Sequence, residues 1–509
     1  MTGKIGNTYR TLFSTFFALS TLVITLCIDF FLSPFIVQHI GVEANGYVHL
    51  ANNLISFASL VTLALNSMGS RFVSIEYNKN NFEECNKYYS SIFAGNALII
   101  LLLIAPALLC IWKLETFFNI DGVGIGDAKL LFLFAFCNFF VSQLASLFNI
   151  GPFVKNQMYF CYLSNALVVV VKGVLYLVAF SCFSPKVYFV TFISLLTNSI
   201  SVFLLYVIKR KILPDLKFSL KFISFKHVLQ LIKSGIWNSV NQCGNLMMTG
   251  FDLILTNWII GPTAMGILSV AKTIPTVITT LSTTLNNSLL PGQTLSYTIQ
   301  SKEQYTDTVE LSVKVSTIFV LVPVIIFSSF SIKFYQLWQP SLDPYQLSLL
   351  SFLSILALIP LAGVQILYNV LTTMNKLKVN ALSFLLTGLI NIGITILLVF
   401  FTDLSIFAVA GVSSILTCVR YLALILPYIA KLLGKKQTYF YKYVVRSLLF
   451  AFMISAIGFP FAFLVGDSWR ELVVAVIIVA CLSVVFLYEI SFTGPEKQKI
   501  GRMIERRKK

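Results

Sequence analysis

Apolar runs of about 20 residues, about fourteen of them laid end to end between short polar breaks, constrain this chain more than any motif in it. A helix of that length crosses the ~30 Å hydrocarbon core of a bilayer, and soluble domains do not repeat such runs back to back. Lipid offers no partner to a backbone N–H or C=O, so each run must close its hydrogen bonds within itself as a helix. A β-barrel is excluded, because the runs are continuous rather than alternating with period two. The expected fold is therefore an all-α polytopic membrane protein with about 14 transmembrane helices. The predicted spans are 12–36, 47–68, 90–112, 128–149, 158–180, 187–207, 236–260, 265–289, 311–331, 345–369, 379–401, 404–427, 443–465 and 470–490. No small-residue cleavage site follows the first, which reads as a retained helix rather than a signal peptide. Composition agrees: 57% of residues are hydrophobic and 11% charged, with mean hydropathy +0.86.

Charge sets the orientation. With the N-terminus inside, 30 of the 37 Lys and Arg residues fall in inner segments, five in outer ones (Lys113, Lys129, Lys186, Lys333, Arg470), and Lys172 and Lys272 lie within spans. That asymmetry is the positive-inside pattern; it predicts both termini cytoplasmic and an even number of spans. The formal charge of +17 is then topological. Nucleic-acid binding would need those charges on one folded surface, whereas here they are scattered over eight inner segments facing membrane lipids. The nine cysteines show no CxxC spacing and read as apolar packing residues, so no metal site is expected. His39, His49 and His227 form no group, and Gly122–Gly126 lacks the Lys-Ser/Thr of a P-loop. The outer loops are too short for a catalytic domain. No enzyme, and no cofactor, is expected.

The longest inner segment, 208–235, follows six spans. Pro214 and the alternating stretch Leu216 to Phe222 read as an extended connector; Ser224 is expected to cap a short amphipathic helix ending near Gly235 and lying in the inner interface. Residues 40–46 and 260–266 share the pattern IGxxAxG at an offset of 220, and at the same offset Ala51 meets Ala271, Leu65 meets Leu285 and Asn66 meets Asn286. The expected organisation is two parallel-repeat six-helix lobes plus a C-terminal helix pair: lobe 1–207, connector 208–235, lobe 236–430, an additional transmembrane pair 431–490 and a basic cytoplasmic tail 491–509.

Polar residues recur inside the spans. Asn238, Asn241, Asn245, Thr249 and Asp252, spaced 3, 4, 4 and 3, make one stripe of a helix, with Gln242 beside it. Lys272, Thr276, Thr279 or Thr280, Thr283 and Asn287 make a second, with Pro275 expected to kink the helix. Span 1 adds Thr21, Thr25 and Asp29. Helix–helix hydrogen bonding accounts for any single Asn or Thr; a stripe points to a cavity wall. An ammonium group in a cavity suits a phosphate-bearing substrate, which makes Lys172 and Lys272 binding candidates with Asn238, Asn241, Asn245 and Thr276. Asp29 and Asp252 are candidates for coupling-ion sites or for structural partners of those lysines.

The stretch LSPFIVQHIGVEANGYVHLANNLISFASLVTLALNSMGSRFVS (32–74) resembles the opening of bacterial polysaccharide-export flippases: a first span, an outer turn with Gly41 and Gly46, a second span and Arg71 at its inner end. FDLILTNWIIGPTAMGILSVAKTIP (251–275) is similar to that family's second-half signature, at Asp252, Gly261, Gly266, Ser269, Ala271, Lys272 and Pro275. LLPGQTLSY (289–297), GVQILYNVLTTMNKLKVN (363–380) and GLINIGITILLVF (388–400) resemble later segments. The family belongs to the multidrug/oligosaccharidyl-lipid/polysaccharide exporter superfamily. The resemblance implies a non-enzymatic flippase of the bacterial cytoplasmic (inner) membrane, carrying an undecaprenyl-pyrophosphate-linked oligosaccharide, the O-antigen or capsule repeat unit, by alternating access. It further implies two six-helix lobes around a cationic cavity, Arg71 as a cytoplasmic gate candidate, H+ or Na+ as the coupling ion, and polysaccharide polymerase machinery as a partner. Many members have twelve spans; the extra pair here keeps a lipid II-type peptidoglycan precursor flippase, and a MATE-like cation-coupled multidrug exporter, as alternatives.

Overall fold

The computed structural model describes residues 2–155, 157–492, 494, 496 and 497; most of the expected basic tail, 498–509, lies outside them. No strand occurs among the described residues. Helices α1 (Thr2–His39), α2 (Val42–Asn78), α3 (Phe82–Trp112), α4 (Ile125–Phe148), α5 (Tyr159–Cys182) and α6 (Tyr188–Ile212) take the first six expected places, each overrunning its apolar span at one or both ends. Then come α7 (Phe225–Thr249), α8 (Phe251–Ile259), α9 (Pro262–Ala271), α10 (Thr273–Ile299), α11 (Lys302–Trp338), α12 (Pro344–Ile355), α13 (Leu377–Phe401), α14 (Ser405–Arg420), α15 (Leu426–Leu432), α16 (Tyr441–Leu464) and α17 (Trp469–Ser491).

Among the described residues, eleven helices are long and apolar enough to cross a membrane, or twelve if α9 and α10, bent by 43° at Lys272, form one span. The expected count was about fourteen. Two predicted spans account for the difference from twelve. Span 236–260 falls on α7 and α8, broken at Gly250, and its polar stripe lowers its hydropathy. Span 345–369 breaks into α12, the single turns Leu358–Leu361 and Val364–Leu367, and Tyr368–Thr373. Pro360 and Gly363 lie at these breaks. A Cβ on Gly363 would sit 2.2 Å from the Thr317 hydroxyl, so this broken segment presses its backbone onto α11.

The connector also differs from expectation. Its helix does not end near Gly235; α7 runs unbroken from Phe225 to Thr249. Gly235 is kept helical by packing, because it lies where a Cβ would be 2.0 Å from the Ala64 carbonyl oxygen of α2. Small residues allow such close backbone approach between membrane helices. The Ser224 side chain makes no capping bond. Its backbone is held instead by Ser91, whose hydroxyl accepts from the Ser224 N–H (3.0 Å) and donates to the Ser224 carbonyl (3.2 Å).

By packing, the chain divides into residues 1–270 and 271–509. In the first unit α2 packs on α3, α4 and α7, while α1 lies along α5 and α4 along α6. Leu65, Val73, Ile92, Leu147 and Leu231 form one core of it. An amide knot ties three helices here: Asn66 Nδ2 donates to Asn96 Oδ1 (3.1 Å) and Gln143 Oε1 (3.2 Å), and Asn96 Nδ2 donates back to Asn66 Oδ1 (2.7 Å). In the second unit α11 is the axis, packed against α10, α12, α16 and α17 around Leu321, Ile325, Ile454 and Val479. The Glu310 carboxylate accepts from the hydroxyls of Tyr439 and Tyr443 (2.6 Å for the latter). Burial and that carboxylate push Tyr439 up to about 12, so it remains a donor.

Candidate functional site

The repeat read from sequence is built as a pair of matching turns. Gly41 and Gly261 hold φ of +126° and +135°, a region only glycine enters without strain, and each starts a helix by reversing the chain. The two turns lie against one another. A Cβ on Gly266 would be 2.4 Å from the Val42 carbonyl oxygen, and one on Gly46 3.0 Å from Gly266. Polar bonds fasten the contact: Asn45 Nδ2 donates to Ser269 Oγ (2.7 Å) and Thr263 Oγ1 to Glu43 Oε1 (2.7 Å). The loop after α3 joins in. The buried Tyr47 hydroxyl accepts from the Asp121 N–H (2.8 Å), Trp258 Nε1 donates to the Phe117 carbonyl (2.6 Å), and Asn119 and Asn257 clasp each other through three bonds of 2.8–3.0 Å.

Deeper in the first unit, α1 and α5 bring two of the expected site residues together. Gly173 lets Ile28 approach to 3.2 Å from where a Cβ would stand, which sets Asp29 and Lys172 on facing helices. Asp29 is exposed and Lys172 half-buried. The Lys172 ammonium stands 5.5 Å from the Tyr176 ring centroid and attracts the Asp29 carboxylate electrostatically.

The α7 stripe is present in part. Asn238, Asn241 and Asn245 are half-buried and Thr249 is exposed, but Asp252 is 0% exposed. The break explains the departure: Gly250 ends α7, its carbonyl accepts from Asn53 Nδ2 of α2 (3.0 Å), and α8 starts with Asp252 turned inward. On α10 the stripe is open. Thr276, Thr279, Thr283 and Asn287 are exposed, and the threonine hydroxyls donate to carbonyls one turn back, as Thr276 does to Lys272 (2.7 Å). Lys272 is half-buried at the break before α10, and the kink expected from Pro275 falls there. Arg71 is exposed near the end of α2.

Two buried cations escaped the sequence reading. Arg420, counted there among the inner-face charges, is 4% exposed. It donates to Asn380 Oδ1 (2.9 Å) and lies 4.0 Å from the Phe384 ring centroid, where a π-turn at Tyr421–Ile425 widens the helix. Lys209 is buried over Tyr89 and donates to the Leu216 carbonyl. The rings that cover them, Phe384 over Arg420 and Tyr89 under Lys209, come from distant segments, so no local signal marked them.

The family described as Polysaccharide biosynthesis protein matches residues 12–294, more than half of the chain. The chain belongs to this family. Its matched region contains the paired turns, the Asp29–Lys172 pair, α7 and most of α10. The Bacillus subtilis (strain 168) protein described as "Uncharacterized membrane protein EpsK" is 26% identical over 492 residues, covering 96% of this chain and 97% of that one. Among solved structures, the lipid II flippase MurJ in its inward closed conformation aligns with TM-score 0.66 at 15% identity, over 96% of this chain and 98% of that one. An inward-facing MATE family multidrug resistance transporter of the MOP superfamily aligns with TM-score 0.65 at 13% identity, over 86% and 98%. These likenesses give the polysaccharide biosynthesis family member the fold of that superfamily, a multi-pass helical membrane protein.

Proposed function

We propose that the protein flips an undecaprenyl-pyrophosphate-linked oligosaccharide, an O-antigen or capsule repeat unit, across the bacterial cytoplasmic membrane by alternating access, with no covalent step. The observation that carries this reading is an intramembrane lysine, Lys172, held half-open beside Asp29 in a polysaccharide biosynthesis family member. A phosphate-bearing headgroup competes with Asp29 for Lys172, since both are anions seeking one ammonium. Displaced from Lys172, Asp29 takes H+ or Na+, which links substrate binding to ion binding. The glycan meets Asn238, Asn241, Asn245 and Thr276, while the prenyl tail stays in lipid. Lys272 is the second candidate cation for the substrate, and Asp252 the second candidate for the coupling ion. The interlocked turns at Gly46 and Gly266 are the outer closure, Arg71 stands at the inner entrance, and the lobes 1–207 and 236–430 are the bodies that rock. Both termini are cytoplasmic, and the product is delivered to polysaccharide polymerase machinery on the outer face.

Two other cargoes have a specific observation behind them, the likeness in fold to a lipid II flippase and to a multidrug transporter. Deleting the gene separates the three. The proposal expects loss of surface polysaccharide with normal growth and drug tolerance. Arrested cell-wall synthesis would assign a peptidoglycan precursor, and unchanged polysaccharide with new drug sensitivity would assign a drug.

A further inference from the structure

The segment joining α6 to α7 is fixed on one side and bare on the other. Its inward side is bonded to α3: Asn86 Oδ1 accepts from the Lys217 N–H (2.8 Å), Ser90 Oγ from the Ser219 N–H (3.1 Å), and Ser91 holds Ser224. Phe218 packs on Phe93 with ring centroids 4.4 Å apart. On the first turns of α7, His227 Nε2 lies 2.8 Å from Glu84 Oε2, and the Tyr88 hydroxyl donates to Gln230 Oε1 (3.1 Å). The outward side presents Leu220 at 74% exposure and Phe225 at 78%, with Ile223 and Leu229 also exposed. Lys217, Lys221, Lys226 and Lys233 are exposed among them. Among the described residues none of these four lysines is in an ion pair, and Asp215 is the segment's one carboxylate.

We infer that this face is a membrane-surface foot that binds anionic phospholipid headgroups. Phe225, Leu229 and Ile236, spaced 4 and 7, lie within about 40° of arc on α7, and Lys226 and Lys233 lie together along one edge of it, about 40–60° further round. An apolar stripe edged by lysines sits at the headgroup–acyl boundary, its rings and alkyl groups in the acyl layer and its ammonium groups among phosphates. The occupant is lipid rather than protein because α6, long and apolar enough to cross a membrane, runs directly into this segment, so the membrane surface lies at its level. A single anionic-leaflet partner satisfies both the exposed apolar groups and the four unmatched positive charges. The foot is also a lever. Its backbone is bonded to α3 and its helix is the one that carries Asn238, Asn241 and Asn245, so lipid bound at Phe225 bears directly on the polar stripe.

Hydrogen–deuterium exchange of residues 217–224, in the full chain reconstituted in lipid nanodiscs, tests this. The Lys217, Ser219 and Ser224 N–H groups are bonded to α3 side chains, so exchange of this stretch reports how firmly lipid holds it against α3. In mixed phosphatidylcholine/phosphatidylglycerol discs the exchange is expected to be at least about tenfold slower than in phosphatidylcholine alone. The fourfold variant K217Q/K221Q/K226Q/K233Q is expected to lose that difference, and Leu220→Ser with Phe225→Ser to exchange faster in both lipids. Equal exchange in the two lipids, or a difference that survives the fourfold variant, overturns the inference. So does protection that appears only on adding an acidic protein fraction.

Discussion

The stripes on α7–α8 and on α10 look alike in sequence and end differently in space. The first is drawn into the protein: Gly235 touches the α2 backbone, Gly250 gives its carbonyl to Asn53, and Asp252 and Asn257 are fully buried. The second stays open, with Thr276, Thr279, Thr283 and Asn287 exposed and the threonine hydroxyls returned to their own helix. A spacing of three and four identifies a polar face. What that face meets depends on neighbours far away in the chain. The knitted positions, Gly235 and the buried end on α8, should therefore register change through stability, and the open stripe of α10 through transport.

The largest contrast is expected at two glycines. Gly235→Leu places a side chain where even a Cβ is 2.0 Å from the Ala64 oxygen; the backbone cannot yield as a flexible side chain would. Overpacking of this kind costs roughly 3 kcal/mol or more, and membrane abundance should collapse. Gly292, on α10, has nothing within 4 Å of its Cβ position. Gly292→Ala should keep abundance and raise thermal stability by up to about 1 kcal/mol through helix propensity. Equal abundance for both variants, measured by membrane immunoblot and detergent melting, would break the distinction at its root.

Next in size is Lys172→Met, which asks to which class the α1–α5 charge pair belongs. If Lys172 faces an aqueous cavity, as proposed, export should be abolished while abundance holds, because a neutral group there strands no charge. A knitted, buried pair would instead lose roughly 3–5 kcal/mol on removal of one partner, and Asp29→Asn in the same chain would restore abundance. Surface-polysaccharide yield and membrane abundance, measured together, separate these outcomes.

A smaller effect is expected from matched asparagines. Asn257→Ala removes two of the three bonds with Asn119, keeping the one accepted by its own backbone carbonyl, and leaves the Asn119 backbone N–H to find water. The expected loss is about 1–3 kcal/mol of stability, seen in detergent melting. Asn287→Ala, on the open stripe, should leave the melting unchanged. Destabilisation at Asn287 matching that at Asn257 would mean that α10 is as knitted as α8.

The positions of most spans were legible because continuous apolar length is a local property of the chain. The paired glycines at Gly41 and Gly261 were legible as a repeat, and their shared positive φ explains why glycine stands at both. Their contact was not, since the pattern does not say that the two turns touch. Hydropathy also counted 345–369 as one span, although Pro360, Gly363 and the Thr317 contact break it, and it treated Arg420 as a surface charge because nothing in a window of residues shows Asn380 and Phe384 folding over it. The candidate site divides in the same way. Asn238 to Thr249 could be placed on one face, whereas the turning of Asp252 away at Gly250 depends on a hydrogen bond from Asn53.

The finest test of the open stripe is Thr283→Val. Valine keeps the branched shape, has a helix propensity close to that of threonine, and removes a hydroxyl whose proton is already spent on the Thr280 carbonyl at 2.9 Å. Folding should not register the change. The oxygen's free lone pairs, however, point from an exposed position and can accept from a sugar hydroxyl. Losing one such neutral hydrogen bond costs about 1 kcal/mol, so the export rate should fall about fivefold by pulse-labelled surface polysaccharide, and Thr283→Ser should keep it. Wild-type export by Thr283→Val would remove Thr283 from the proposed glycan path. Destabilisation without loss of export would move it to the knitted class, and the contrast between α7–α8 and α10 would then be one of degree.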